Sequence, residues 1–291
     1  MSIESARELL LTALDQRYEK YLAENNHCQE QFSEAAVHDL RVATRRFLAL
    51  IELLLVISPA PRLQKLRRAF KKQLNSLDDL RDTQVMLLEF SATLETLPDL
   101  APLQKFLQKR EIRLLSRAEQ DICEFKVDSV VRRVARVRAT LAQPFTAQDL
   151  SAQLLAVVDQ ASLSVNQRIA QVDPTRASSI HSVRIAFKKF RYMLEIIFPI
   201  LPGFPETYFK KLHDYQSAMG GIQDAEVLLQ TIGNFAARHK TCDIQTARRF
   251  YQQRHMVLIN TCLQNMHEFD AFWRQLPGQP FPWESQTKET P

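Results

Sequence analysis

Residues 38–47 read His38-Asp39-Leu40-Arg41-Val42-Ala43-Thr44-Arg45-Arg46-Phe47, and residues 181–190 read His181-Ser182-Val183-Arg184-Ile185-Ala186-Phe187-Lys188-Lys189-Phe190. Both fit H-x-x-R-[VI]-A-x-[RK]-[RK]-F, 143 residues apart in a chain of 291. Repetition at half the chain length implies duplication of a whole helical unit, not a short solenoid repeat. At about 100° per residue, His38, Arg41, Arg45 and Ala49 share one helix face, with Glu52 below them. Leu40, Ala43, Phe47, Ile51 and Leu54 form the opposite, apolar stripe. The second copy repeats this: His181, Arg184, Lys188 and Tyr192 on one face above Glu195, opposed by Val183, Ala186, Phe190, Leu194 and Ile197. Arg46, Lys189 and Arg191 flank the rows. Like charges stacked at i, i+3 and i+7 repel one another on a bare helix. A polyanion lying along them reverses the sign. The repeat therefore points to an anionic ligand held between two similar halves.

Working outward, the two halves stay in register. Pro59 and Pro202 close the motif helices at the same offset. Leu80-Arg81-Asp82-Thr83-Gln84-Val85 then parallels Ile222-Gln223-Asp224-Ala225-Glu226-Val227, now offset by 142. With 5 Gly, and Pro concentrated at segment ends, helix formers dominate and the expected class is all-α. Helical periodicity spans about 3–25, 34–57, 61–95, 100–141, 147–171, 176–200, 205–237 and 241–270, with a break in the fourth segment near Cys123–Val127. The expectation is two tandem pseudo-symmetric four-helix bundles, residues 1–143 and 144–276, with a basic groove or pore between them. Residues 277–291 read as a loose tail.

The net charge is only +5, so local distribution decides. Between His38 and Lys72 lie nine Lys/Arg and only two acids, Asp39 and Glu52, which makes a local positive potential. Lys65, Arg68 and Lys72 add a face on the third segment, with Lys71 nearby. Lys210, Lys211 and His213 are the counterpart in the second half. Arg110, Arg113 and Arg117 form another basic row, which reads more readily as a solvated face. Tyr192 could equally pack at a core edge, and Asp82 and Asp224 read as structural partners of nearby arginines. Cys28, Cys123, Cys242 and Cys262 are scattered, which fits free thiols in a reducing cytosol better than disulfides or zinc. The N-terminus lacks a secretory signal pattern, and the most apolar run, Leu48 to Ile57, is too short to span a bilayer.

These residues resemble the CHAD family, the conserved histidine α-helical domain. The resemblance rests on His38-x-x-Arg41-Val42-Ala43-Thr44-Arg45-Arg46, on His181-x-x-Arg184-x-x-x-Lys188-Lys189-Phe190-Arg191-Tyr192, on Leu80-Arg81-Asp82 and on Met219-Gly220-Gly221-Ile222-Gln223-Asp224. It covers about residues 2–275. It implies two four-helix bundles around a basic pore, and binding of inorganic polyphosphate, often at polyphosphate granules. The polyphosphate-binding residues it implies are His38, Arg41, Arg45, Arg46, Lys65, Arg68, Lys72, His181, Arg184, Lys188, Lys189, Arg191, Tyr192, Lys210, Lys211 and His213. Two positions depart from the pattern or between the halves. Leu48 stands where the second half has Arg191, and Asp78-Asp79 stands where it has Gly220-Gly221.

A non-catalytic polyphosphate-binding module is thus the leading expectation, with no cofactor or metal. No E-x-E-x-K string of a triphosphate tunnel occurs. A phosphate-chain-processing enzyme would want carboxylates holding Mg²⁺ beside the phosphates, and the cationic faces carry only Glu52 and Glu195. Non-specific nucleic-acid binding would use the same cations, but stacking wants exposed aromatics and these faces offer only Tyr192. A metal site on the histidines is disfavoured by the surrounding cations.

Overall fold

A computed structural model describes residues 3–143 and 150–286, and every regular element among them is helical. In chain order they are α1 (Ile3–Glu30), α2 (Glu34–Ile57), α3 (Pro61–Ser76), α4 (Asp78–Thr93), α5 (Ala101–Cys123), α6 (Val127–Leu141), α7 (Leu150–Ile169), α8 (Ala177–Ile197), α9 (Thr207–Arg238), α10 (Gln245–Asn265) and α11 (Pro282–Gln286). The helix ends follow local chemistry. Ser33 caps α2 by accepting the Ala36 amide at 3.1 Å, and Pro61 opens α3 where its missing N–H costs nothing. The expected boundary at 143/144, the first three residues of the expected helix at 147, and tail residues 287–291 lie outside the described residues.

The motif helices α2 and α8 are the spine. The stripe Leu40, Ala43, Phe47, Ile51 and Leu54 is buried, as is Val183, Ala186, Phe190, Leu194 and Ile197. Each packs most extensively on the helix before it in its own half, α2 on α1 and α8 on α7, and the two motif helices also pack on each other. That contact places the duplicated cation rows side by side.

The core does not divide at the repeat boundary. One apolar cluster joins α1, α2, α3 and α6 of the first half to α7, α8 and the first part of α9. A second joins Met86, Phe90, Leu103 and Leu107 of the first half to Leu228, Ile232, Phe235 and Tyr251 of the second.

Two expectations need correction. The segment 61–95 is not one helix: it breaks at Leu77, whereas its counterpart α9 runs unbroken through Gly220-Gly221. At the break Leu77 N–H turns back to Leu74 O at 3.1 Å in a tightened last turn. The expected loose tail is also docked in part. Phe281 and Trp283 are buried, their rings stacked at 4.5 Å. Trp283 packs edge-on against Phe204 and donates its indole N–H to Pro202 O at 3.0 Å. Aromatic area with a satisfied polar atom offsets the ordering cost that a polar tail could not.

Candidate functional site

The centre of the site is where α2 and α8 bring Arg41, Arg45, Arg184 and Lys188 within electrostatic reach of one another. Lys188 records the crowding. Burial, then Arg45, Arg184 and Arg41, push its ammonium down to about 7 from an ordinary 10.5, against a weaker upward pull from Asp78. His38 is lowered by desolvation and then by Arg81, with Arg45 and Arg41 adding to it and Asp39 opposing. His181 is lowered by desolvation and then by Arg184, with Lys188 adding to it and a hydrogen bond to Gln223 and the charge of Glu226 opposing. Both histidines thus favour the neutral form in a site that already repels positive charge.

The opposite wall comes from α4 and α9, and it carries carboxylates that the helix faces alone did not reveal. Asp78 binds Arg41 Nη2 at 2.7 Å. Arg41 Nη1 donates to Leu74 O at 3.0 Å, the carbonyl at the α3–α4 break. Arg41 is only 3 % exposed, so this member of the row is also a buried brace for the break. Asp82 and Asp224 keep solvent contact, yet crowding by neighbouring helices raises both carboxyls. Desolvation leads in each case, reinforced at Asp82 by Asp78 and opposed at Asp224 by Arg184. Neither makes an ion pair with an arginine among the described residues, contrary to the structural pairing expected of them. Arg81 instead binds Glu34 at 2.8 Å. Glu52 and Glu195 on the motif helices lie apart from the central cations, and the carboxylate beside those cations, Asp78, comes from another helix. Glu52 faces α3, binding Arg67 at 2.9 Å and Lys71 at 3.8 Å, and Glu195 turns to a separate cleft. No three His, Cys, Asp or Glu side chains among the described residues are grouped to hold a metal ion.

That separate cleft, of about 620 Å³, lies between α1, α2, α8 and the start of α9. It takes in two of the expected site residues, Arg46 and Arg191, with Arg17, Lys20, Glu24 and Asp39. Glu195 binds Arg191 at 3.1 Å and Arg46 at 3.5 Å. Burial lowers Arg17 to about 10, and Arg17 donates to Arg46 O at 2.8 Å. Tyr192 is half-buried, close enough to Arg17 to influence its charge, with the Arg191 guanidinium 5.7 Å from its ring. Lys189 is exposed beside Val56 and Ala186, on the other flank. Lys65, Arg68, Lys72, Lys210, Lys211 and His213 are all exposed. Lys211 lies over the Tyr208 ring at 5.1 Å. The sixteen expected residues thus fall into a central group (His38, Arg41, Arg45, His181, Arg184, Lys188), a flanking group and an outer surface. Sequence reasoning missed Arg17 and Asp78. For Asp78 the signal was the repeat itself, which sets it opposite Gly220; nothing in the repeat pointed to Arg17.

The family model described as "CHAD domain" matches residues 12–233. The crystal structure of the CHAD domain from the plant Ricinus communis superposes with a TM-score of 0.71 at 21% identity, covering 90% of this chain and 91% of that one. No curated protein sequence matches. With the family model spanning most of its length and both motif helices, the chain belongs to the CHAD domain family.

Proposed function

We propose that the protein binds inorganic polyphosphate, without catalysis, along the cation rows of both repeats. The observation that carries this is the convergence of Arg41, Arg45, Arg184 and Lys188, where burial first and then the three arginines lower Lys188 to about 7. Such a cluster is costly without a counter-charge and gains most from a ligand with many closely spaced anions. Family membership adds support, since polyphosphate binding is a general property of CHAD domains. Arginine forks and a compact ammonium both suit phosphate oxygens. No helix among the described residues is long and apolar enough to cross a membrane. On this reading, a cell's polyphosphate granules are where to look for the protein.

The test is a titration of long polyphosphate against single-stranded DNA, RNA and triphosphate, at equal phosphate and fixed salt. We expect the long polyphosphate to bind most tightly, with affinity falling steeply as salt rises, as for counterion release on DNA. Equal affinity for polyphosphate and random nucleic acid would return the protein to a generic polyanion binder.

A further inference from the structure

The two halves treat the first arginine of the motif differently. Arg41 has an internal anion, since its Nη2 reaches Asp78 Oδ1 at 2.7 Å. Arg184, its repeat counterpart, meets Gly220 where Arg41 meets Asp78. A Cβ built on Gly220 would stand 3.8 Å from Arg184 Nε and 3.9 Å from Nη2, so the guanidinium lies over the bare backbone. Arg184 Nε is buried and has no hydrogen-bond partner, and the same is true of His181 Nδ1 on the same helix. α9 is unbroken here, so no freed carbonyl substitutes for Leu74 O. Asp224 feels the charge of Arg184 but forms no ion pair with it among the described residues. A buried donor without an acceptor is costly, and Arg184 Nε, with the unpartnered His181 ring nitrogen one turn before it, asks for an explanation. The first half supplies one, because the group that completes the equivalent position there is an anion.

We infer that one phosphate group of the bound chain seats beside Gly220, held by Arg184, His181 and Lys188, in the place that Asp78 takes in the first half. This deepens the polyphosphate reading and rests on it. The two halves of the site are then unequal. The second presents an open anion seat, with glycine leaving room for a tetrahedral group. The first is filled by the protein's own carboxylate, which a ligand must displace or bypass to reach Arg41.

Reciprocal substitutions test this in the full chain, read as affinity for long polyphosphate at fixed salt and pH. Gly220→Asp gives the second half the carboxylate of the first, and Gly220→Ala adds the same Cβ without charge. The Cβ that both add fits, because 3.8 Å is ordinary contact. We expect Gly220→Asp to weaken binding about tenfold or more and Gly220→Ala to change it by less than about twofold. Asp78→Asn keeps an acceptor for Arg41 while removing the charge, and should tighten binding by about threefold. A second readout does not depend on variants folding. The Arg184 Nε–H resonance should shift and exchange more slowly with solvent on adding polyphosphate, while that of Arg41 changes little. Equal affinities of Gly220→Asp and Gly220→Ala, or an unmoved Arg184 resonance with polyphosphate bound, would overturn the seat alone. No binding by the unmodified chain would overturn the polyphosphate reading and the seat with it.

Discussion

Lys188 is the residue on which stability and ligand binding pull hardest in opposite directions. Its folded-state value near 7 lies below its ordinary 10.5. Between those limits the unfolded chain holds more protons than the folded one, so stability must rise with pH across that window. Below about 7 both states are protonated and the cost is present in full. Lys188→Met should remove that rise and stabilise the free protein by about 1 kcal/mol or more at pH 7, while weakening polyphosphate binding. Urea unfolding at pH 6, 7.5 and 9 checks it, and equal pH slopes in wild type and variant would contradict it. A bound polyanion should reverse the depression of Lys188, His38 and His181 together, since nearby negative charge favours each charged form. Binding should then take up protons, and affinity should rise as pH falls from about 8 to about 6. Calorimetry in buffers of different ionisation enthalpy measures the uptake. An uptake unchanged in the His38→Gln/His181→Gln double variant would assign it to Lys188 alone.

Among the elements, the asymmetry between α3–α4 and α9 matters most. Arg41 ties the Leu74 carbonyl and the Asp78 carboxylate at the break, so Arg41→Met leaves a buried acceptor and a charge without their partner. We expect a loss of about 2–4 kcal/mol. Arg184→Met removes a buried donor that has no partner and should leave stability unchanged or improved. Parallel denaturant titrations test the contrast, and equal losses would show that Arg184 has a structural partner after all. The docked tail gives a second expectation: deleting 281–291 removes Phe281 and Trp283 from the aromatic cluster and should lower Tm by several degrees. Much at this scale was legible in the sequence. The motif helices and their buried stripes follow from 3.6-residue periodicity, because burial there is one-sided and long. The break at Leu77 was not legible as punctuation, since no Gly or Pro marks it. Its trace was the offset falling from 143 to 142 between the motif and Asp82, one extra residue in the first half that a straight helix could not absorb in register. The acidic wall escaped for a different reason. A helical wheel shows what shares a face of one helix, and Asp78, Asp82 and Asp224 reach the cations from other helices. The tail misled because its Pro, Gly and polar residues outnumber the two aromatic anchors that decide its place.

For the molecule as a whole, the duplication has been used to build one object from two halves. The second core shows it most directly, since Met86 and Phe90 of α4 face Leu228 and Ile232 of α9, and Thr93 shares a hydrogen bond of 3.0 Å with Tyr251 of α10. Each large apolar side chain buried there contributes about 1.5–3 kcal/mol, and a separated half would expose its share to water. Residues 1–143 and 144–291 made as separate chains should therefore be poorly packed alone and recover native near-UV circular dichroism on mixing. A well-folded isolated half, with a cooperative unfolding transition of its own, would contradict the shared core. The same geometry bears on the ligand. Arg45 on α2 and Arg184 on α8 both act on Lys188, so the cations of the two repeats form one field and not two. Reversing the second row with Arg184→Glu and Lys188→Glu should remove most of the affinity even though the first row is intact. On the first row we choose Arg45→Glu alone, because Arg41 is needed for the brace and its loss would confuse folding with binding. It should weaken binding by about tenfold, and the slope of log affinity against log salt should flatten by about one to two, the change expected for losing one or two phosphate contacts. If charge reversal in either repeat left affinity and salt slope as in wild type, the ligand would be held by a single half, and the packing of α2 on α8 would serve only the fold.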